Sequence, residues 1–272
     1  MKILSDLHNH TVLCDGEGTA REMVEAATAR SFLSIGISGH AYTPIDPDSY
    51  YMSPAGTQEY LREVRALKEE YCGRIDVLLG TEFDLYSKAD LSEYDYVIGS
   101  VHYVRRGGNY FPVDASRDLM EKFIRNDFGG DGIGFAERYF SAYAELAAIP
   151  EVTVVGHLDL LTKYNGVSRF FDESDPRYFD AACGAIRALA DAGKIFEINT
   201  GGMGRAARPV PYPAPPLLGA IRAAGGRITI NSDSHSPSSL GYAFDIAADE
   251  ARACGFTHAL VLTSGGWQEN PL

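Results

Sequence analysis

Along this chain short β-rich runs alternate with helix patterns, and run after run stops at a histidine or a carboxylate. A strand pattern over residues 2–7 ends at His8-Asn9-His10, and one over 33–38 ends at Gly39-His40. Runs at 76–79 and 94–100 lead into Gly80-Thr81-Glu82 and Val101-His102. Those at 152–155 and 227–230 lead into Gly156-His157-Leu158-Asp159 and Asn231-Ser232-Asp233-Ser234-His235. Two more runs cover 195–198 and 259–262. Between them, Thr19-Ala20-Arg21-Glu22 opens a helix as a capping box, hydroxyl and carboxylate each satisfying the other's free backbone donor. Leu61, Val64 and Leu67 fall at helical spacing within 57–71, and further helix patterns cover 135–148, 180–192, 217–224 and 244–254. The stretches 126–134 and 199–213, rich in glycine with aspartate or with arginine and proline, read as loops.

Strands alternating with helices specify a parallel sheet, either open and doubly wound or closed into a barrel. The polar strand ends decide for the barrel. Its carboxyl ends ring one mouth, where barrel enzymes keep their sites, whereas an open sheet would spread the same residues along a line. The expected fold is therefore α/β, a barrel formed by residues 1–272 as one domain, with no internal repeat or interdomain linker.

The net charge of −13 excludes a general nucleic-acid surface, which neutralises phosphates with lysine and arginine. It does not exclude a phosphate substrate, because metal ions add positive charge that the formal count omits. Cys14, Cys72, Cys183 and Cys254 form no Cys-x-x-Cys pair, so neither a zinc ribbon nor a disulfide framework is expected. No apolar run reaches the roughly 18 residues of a membrane span, and the first residues show no signal segment. The expectation is a cytoplasmic protein with no membrane partner.

In an extended strand His8 and His10 point to the same face, so both imidazoles can reach one ion. Six of the seven histidines, all but His258, lie at strand ends. Taken singly, each fits a hydrogen-bonded rim position. Together they fit a polynuclear metal site, for which Glu82 and Asp233 add carboxylates able to bridge ions. Asp15, in Cys14-Asp15-Gly16, reads either as one more ligand or as a turn residue.

The order His8-x-His10, Gly39-His40, Gly80-Thr81-Glu82, His102, Gly156-His157-x-Asp159 and Ser232-Asp233-Ser234-His235 resembles the polymerase-and-histidinol-phosphatase (PHP) superfamily over essentially the whole chain. The resemblance implies a distorted (β/α)7 barrel with two or three divalent ions, zinc, manganese or iron, at its mouth. It also implies one ion held by His8, His10, Glu82 and Asp233, a second by Glu82, His102 and His157, and a third by Asp15, His40 and His235. Many relatives carry histidine where this chain has Asp15. The segment Phe196-Glu197-Ile198-Asn199-Thr200-Gly201-Gly202, with Tyr212-Pro213 beyond it, is similar to the histidinol-phosphate phosphatase branch, although Gly201 stands where that branch has serine.

Hydrolysis of a phosphate monoester requires neutralisation of two negative charges, which clustered divalent ions supply. No nucleophile motif points to a phosphoenzyme, so direct attack by a metal-bridging hydroxide is expected. Arg205, then Arg208 and Lys163, are the candidate phosphate binders. Asp159 and His235 are the candidate catalytic groups; Asp159 either protonates the leaving alkoxide or orients a ligand. The expected substrate is histidinol phosphate, in histidine biosynthesis. The alternatives are a phosphatase or phosphodiesterase acting on another small phosphoester, such as a nucleotide, and a metal-binding regulatory domain without catalysis. A proofreading module would need a longer chain or a basic track.

Overall fold

The computed structural model describes residues 4–46, 50–205 and 208–272. Seven parallel strands form its sheet: β1 (Ser5–Asp6), β2 (Ser34–Ile37), β3 (Asp76–Asp84), β4 (Tyr96–Ser100), β7 (Val154–Val155), β8 (Ile195–Asn199) and β9 (Arg227–Asn231). Their order in the sheet is their order in the chain, as successive right-handed crossovers require. The sheet curls until its ends meet, giving the distorted seven-stranded barrel. At the seam, Asn231 Oδ1 accepts from Leu7 N, while His10 N donates to Ser234 O and Ser234 N to His8 O. The extensions of β1 and β9 thus close the barrel at its carboxyl end. Lys2 and Ile3 of the expected first strand lie outside the described residues.

The crossover helices form because their ends are capped and one face is apolar. In α1 (Ala20–Ala29) the Thr19 and Glu22 capping box is present as expected, and Met23, Val24 and Ala27 are buried on one side. In α2 (Pro54–Glu70) Ser53 caps Gly56 N and proline occupies the first turn, where its missing N–H costs nothing. The remaining helices are α3 (Arg117–Asp127), α4 (Gly132–Glu145), the short α5 (Asn165–Ser168), α6 (Pro176–Asp191), the short α7 (Gly201–Gly204), α8 (Pro215–Ala223) and α9 (Phe244–Ala253). The helix expected at 135–148 begins earlier, at Gly132, capped by Asp131.

Inside the barrel Leu7, Leu78, Tyr96, Ile98, Val154 and Leu262 form a separate core. Tyr96 spans it and donates its hydroxyl to Leu7 O. It fits because Gly36 and Gly80 have no side chain: a Cβ at Gly36 would sit 1.9 Å from the Tyr96 hydroxyl oxygen, and one at Gly80 2.2 Å from Tyr96 Cζ. Leu262 belongs to a hairpin of β10 (His258–Thr263) and β11 (Gly266–Pro271), antiparallel and outside the main sheet. The apolar run at 259–262 marks the first strand of this hairpin, but its partner, Gly-Trp-Gln-Glu-Asn-Pro, is largely polar and carries no strand pattern of its own. A second hairpin, β5 (Tyr103–Arg106) with β6 (Asn109–Pro112), leaves the barrel directly after His102.

Candidate active site

The six strand-end histidines reach the same mouth together with Asp15, Glu82 and Asp233. His8 and His10 leave β1 two residues apart, with ring centroids separated by 5.2 Å. Their Nε2 atoms lie 3.2 and 3.5 Å from Glu82 Oε2 and 3.7 and 3.3 Å from Asp233 Oδ1. The other oxygen of Glu82, Oε1, lies 2.8 Å from His157 Nε2 and 3.3 Å from His102 Nε2. One carboxylate at the end of β3 thus faces two clusters, one through each oxygen. On the outer side Asp15 Oδ2 lies 3.1 Å from His235 Nε2 and 3.7 Å from His40 Nε2, and Asp15 Oδ1 is 3.2 Å from His10 Nδ1. His40 looks both ways, its Nδ1 being 3.0 Å from Glu82 Oε2.

These donors suit a metal. The Nε2 atoms of His8 and His10 are buried without any hydrogen-bond partner, a costly state for a polar atom that an ion would relieve. Four groups drawn from these residues have ligand atoms within 4.8 Å of one another, including His8, His10 and Glu82, and His10, Asp15, His40 and His235. Imidazole with carboxylate is a donor set for zinc, iron or manganese.

The charges are mutually dependent. Burial alone would push the Glu82 carboxyl up, but the surrounding imidazoles of His40, His8 and His102 hold it well below the carboxylate range. Asp233 is likewise held low against burial by Arg205, His8 and His235. Burial opposes charging of His8, yet Glu197, Glu82 and Asp233 raise it well above the ordinary value. His10 moves the other way, lowered by burial and by its neighbours His235 and His40. Without ions, protons do the work that cations would take over, and metal binding must release them.

Two supports are built into the strands and were not singled out from the sequence. Glu197, on β8 and 1% exposed, accepts from His8 Nδ1 (2.7 Å), His157 N (2.9 Å), Asn199 Nδ2 (2.8 Å) and Asn231 Nδ2 (2.9 Å). A carboxylate can only accept there, so one His8 proton is held on Nδ1, and it is Nε2, facing Glu82 and Asp233, that would give up its proton and offer a lone pair to an ion. The signal was available: Glu197 and Asn199 are polar residues at alternate positions of a buried strand, and so share one face. Asp84, two residues after Glu82, accepts from His102 N at 2.8 Å. Asp233 itself has a left-handed backbone, φ 49°, a conformation costly for a non-glycine residue. Arg205 stabilises it by donating to both Asp233 O (3.0 Å) and Asp233 Oδ2 (2.8 Å). Gly201 permits this approach, since a Cβ there would lie 2.7 Å from Asp233 Oδ2.

A cavity of about 500 Å³ opens onto these clusters, lined among others by Asp15, His40, Glu82, His157, Asp233 and His235. Of the expected phosphate binders, Arg205 and Lys163 line it and Arg208 does not. Arg208 is turned into the wall: it donates to Thr162 Oγ1 at 2.6 Å, approaches Asp159 Oδ2 at 3.4 Å and stacks 4.3 Å over the Tyr212 ring. Asp159 is fully buried and also accepts from Ala214 N at 2.9 Å. Asp159 is not among the residues lining the cavity; its Oδ2 anchors the chain after α7 through Ala214 and Arg208, while its Oδ1 is buried without a hydrogen-bond partner. Lys163 donates to Asp114 O at 3.0 Å. His235 does line the cavity, with its Nδ1 3.0 Å from Arg205 Nη1.

A parallel barrel with this ligand-rich mouth is the architecture of a metal-dependent hydrolase of the PHP type, and the PHP domain model matches residues 6–201. The chain belongs to the PHP domain family. Over 93% of its length it is 31% identical to a Deinococcus radiodurans protein described as "Probable histidinol-phosphatase", covering 94% of that protein. It is 26% identical to the Bacillus subtilis histidinol-phosphatase, over 88% of this chain and 96% of that one. Its fold matches a Lactococcus lactis histidinol phosphate phosphatase, solved with zinc, L-histidinol and phosphate. That match has a TM-score of 0.71 at 22% identity and covers 98% of this chain and 99% of the other.

Proposed function

We propose that the protein is a metal-dependent phosphoric monoester hydrolase that converts L-histidinol phosphate and water to L-histidinol and phosphate, a step of histidine biosynthesis, in the cytoplasm. The observation that carries the hydrolase reading is Glu82, whose two oxygens face two separate histidine clusters in one mouth. The substrate rests on the relatives matched along nearly the whole chain. Two ions are assigned to His8, His10, Glu82 and Asp233 and to Glu82, His102 and His157, and a third to Asp15, His40 and His235. Ions bound there would neutralise the phosphoryl oxygens and lower the pKa of a water toward neutrality. Zinc is the favoured metal because imidazole nitrogens dominate the donor set, with manganese and iron as the alternatives.

The chain's own residues do the rest. Glu82, Asp233 and the imidazoles fix the donor geometry, and Glu197 keeps the His8 ring turned for it. Arg205 places a guanidinium at the cavity wall beside Asp233, where its outer N–H groups take a phosphoryl oxygen. In the form with two ions, His235 holds the proton for the departing alkoxide, with Asp15 against its Nε2. The test is phosphate release by protein reconstituted separately with zinc, manganese or iron, on L-histidinol phosphate, nucleotides, aryl phosphates and a diester. Histidinol phosphate should lead by at least about tenfold in kcat/KM; equal rates on unrelated monoesters would overturn the substrate, and no hydrolysis of any ester would overturn the enzyme.

A further inference from the structure

The cavity wall beside the clustered ligands, where Tyr50 packs 4.7 Å from His40, contains a group that phosphate hydrolysis does not need. Asp114, two residues beyond β6, lines the cavity with Tyr50, Leu160, Lys163 and Tyr212, yet it belongs to none of the candidate metal groups. Its main chain is pinned, Asp114 O accepting from Lys163 Nζ at 3.0 Å and from the Tyr164 hydroxyl at 2.8 Å. Its carboxylate is about one-fifth exposed and meets the Lys163 ammonium only through Oδ2, at 3.5 Å, the outer limit of a hydrogen bond. Among the described residues, Oδ1 has no partner and is left for a ligand. Its charge reaches Tyr50, whose hydroxyl is pushed above the ordinary range first by burial and then by Asp114.

A fixed carboxylate in a cavity that must admit a phosphate dianion repels the substrate, and nothing in the chemistry of phosphoryl transfer repays that. The repulsion becomes attraction if the alcohol half of the ester is cationic. We infer that Asp114, with the aromatic face of Tyr50, forms a subsite for the ammonium group of the substrate, so that the protein selects phosphate monoesters of amino alcohols. This deepens the function proposed above and rests on it. Tyr50 contributes a ring face to which a cation is drawn, and Leu160 contributes apolar wall for the carbon skeleton.

The experiment compares L-histidinol phosphate with its deamino counterpart, imidazolylpropyl phosphate, in metal-loaded wild-type protein and in Asp114→Asn. Wild-type protein should prefer the aminated ester by about 10- to 100-fold in kcat/KM, the range for a hydrogen bond between charged groups. Asp114→Asn should lose most of that ratio. An equal ratio in the two proteins overturns the subsite even if both rates fall, because such a fall marks damage common to both esters. Should the variant fail to fold, wild-type protein supplies the answer through pH. The KM of the aminated ester should rise as its ammonium deprotonates while that of the deamino ester does not, and parallel curves refute the assignment. If wild-type protein hydrolyses neither ester, the phosphatase reading fails and the subsite with it; if it hydrolyses both equally, only the subsite fails.

Discussion

Replacing Glu197 by glutamine removes one charge and one acceptor while keeping the size of the side chain, and the consequences follow from its four partners. Oε1 takes the His8 Nδ1 and Asn231 Nδ2 protons; Oε2 takes those of His157 N and Asn199 Nδ2. An amide offers only one oxygen. If that oxygen faces His8, the NH2 group confronts two donors, His157 N and Asn199, and leaves both buried and unsatisfied. In the reverse orientation the NH2 group confronts His8 Nδ1, and the ring must move its proton to Nε2, where the lone pair for the metal is lost. Each buried donor left unpaired costs about 1–3 kcal/mol, so the first orientation lowers stability and the second lowers metal affinity. Loss of a hydrogen bond that orients a metal-binding histidine typically weakens binding by about 10- to 100-fold. Glu197→Gln should therefore show a metal Kd, measured by competition with a chromophoric chelator, raised by that factor, a depressed Tm, or a share of each. Unchanged metal affinity together with unchanged Tm would refute the reasoning, because no orientation of the amide satisfies all four donors.

Asp15→Ala should reduce the number of ions bound per chain by one, read by elemental analysis, while leaving the first two sites filled; full stoichiometry would make Asp15 only the acceptor of His10 and His235. In metal-free protein His40 is pushed up to about 9 from an ordinary 6.5, burial being outweighed by Glu82 and Asp15. A group whose pKa is raised on folding stabilises fully below its unfolded value and loses that contribution as pH rises through the folded one. Since His8 and His102 shift the same way and His10 the opposite way, Tm of chelator-treated protein should fall between pH 6.5 and 9; a flat profile would remove protonated histidines from the fold's support. Gly80→Ala places a Cβ 2.2 Å from Tyr96 Cζ and should destabilise by about 1–3 kcal/mol of overpacking, seen in urea unfolding. Gly80→Ala with Tyr96→Phe relieves one of the close contacts, with Tyr96 Oη at 2.5 Å, and should recover part of the loss.

The barrel and the convergence of polar residues at its mouth were legible because one constraint wrote both. A strand that ends at a shared mouth must stop its apolar run there, and a polar residue facing the cavity comes next, so His8, His40, Glu82, His102, His157 and Asp233 mark the strand ends and the mouth together. The hairpin of β5 and β6 and the helix α3 left a weaker trace. Gly107-Gly108 is a turn signal, but the flanking strands carry Arg105, Arg106 and Asn109 outward, and α3 buries only Met120 and Ile124. The contact between Asp159 and Arg208 was not legible at all: they partner each other across 49 positions of chain, and spacing says nothing of such pairs. Glu197 lay between these cases, readable as a polar residue in an apolar strand but not as the neighbour of His8, 189 residues away.

The seam of the barrel also sets when the centre comes into being. His8 and His10 lie on one side of the seam and Asp233 on the other, and the two sides are far apart in the chain. Contacts of such long sequence separation form late, because the loop between them must first be ordered. An incompletely folded chain therefore offers stray cations isolated imidazoles but no complete cage. An ion bound there would find its cage complete only once the seam has closed and joined the two ends of the sheet.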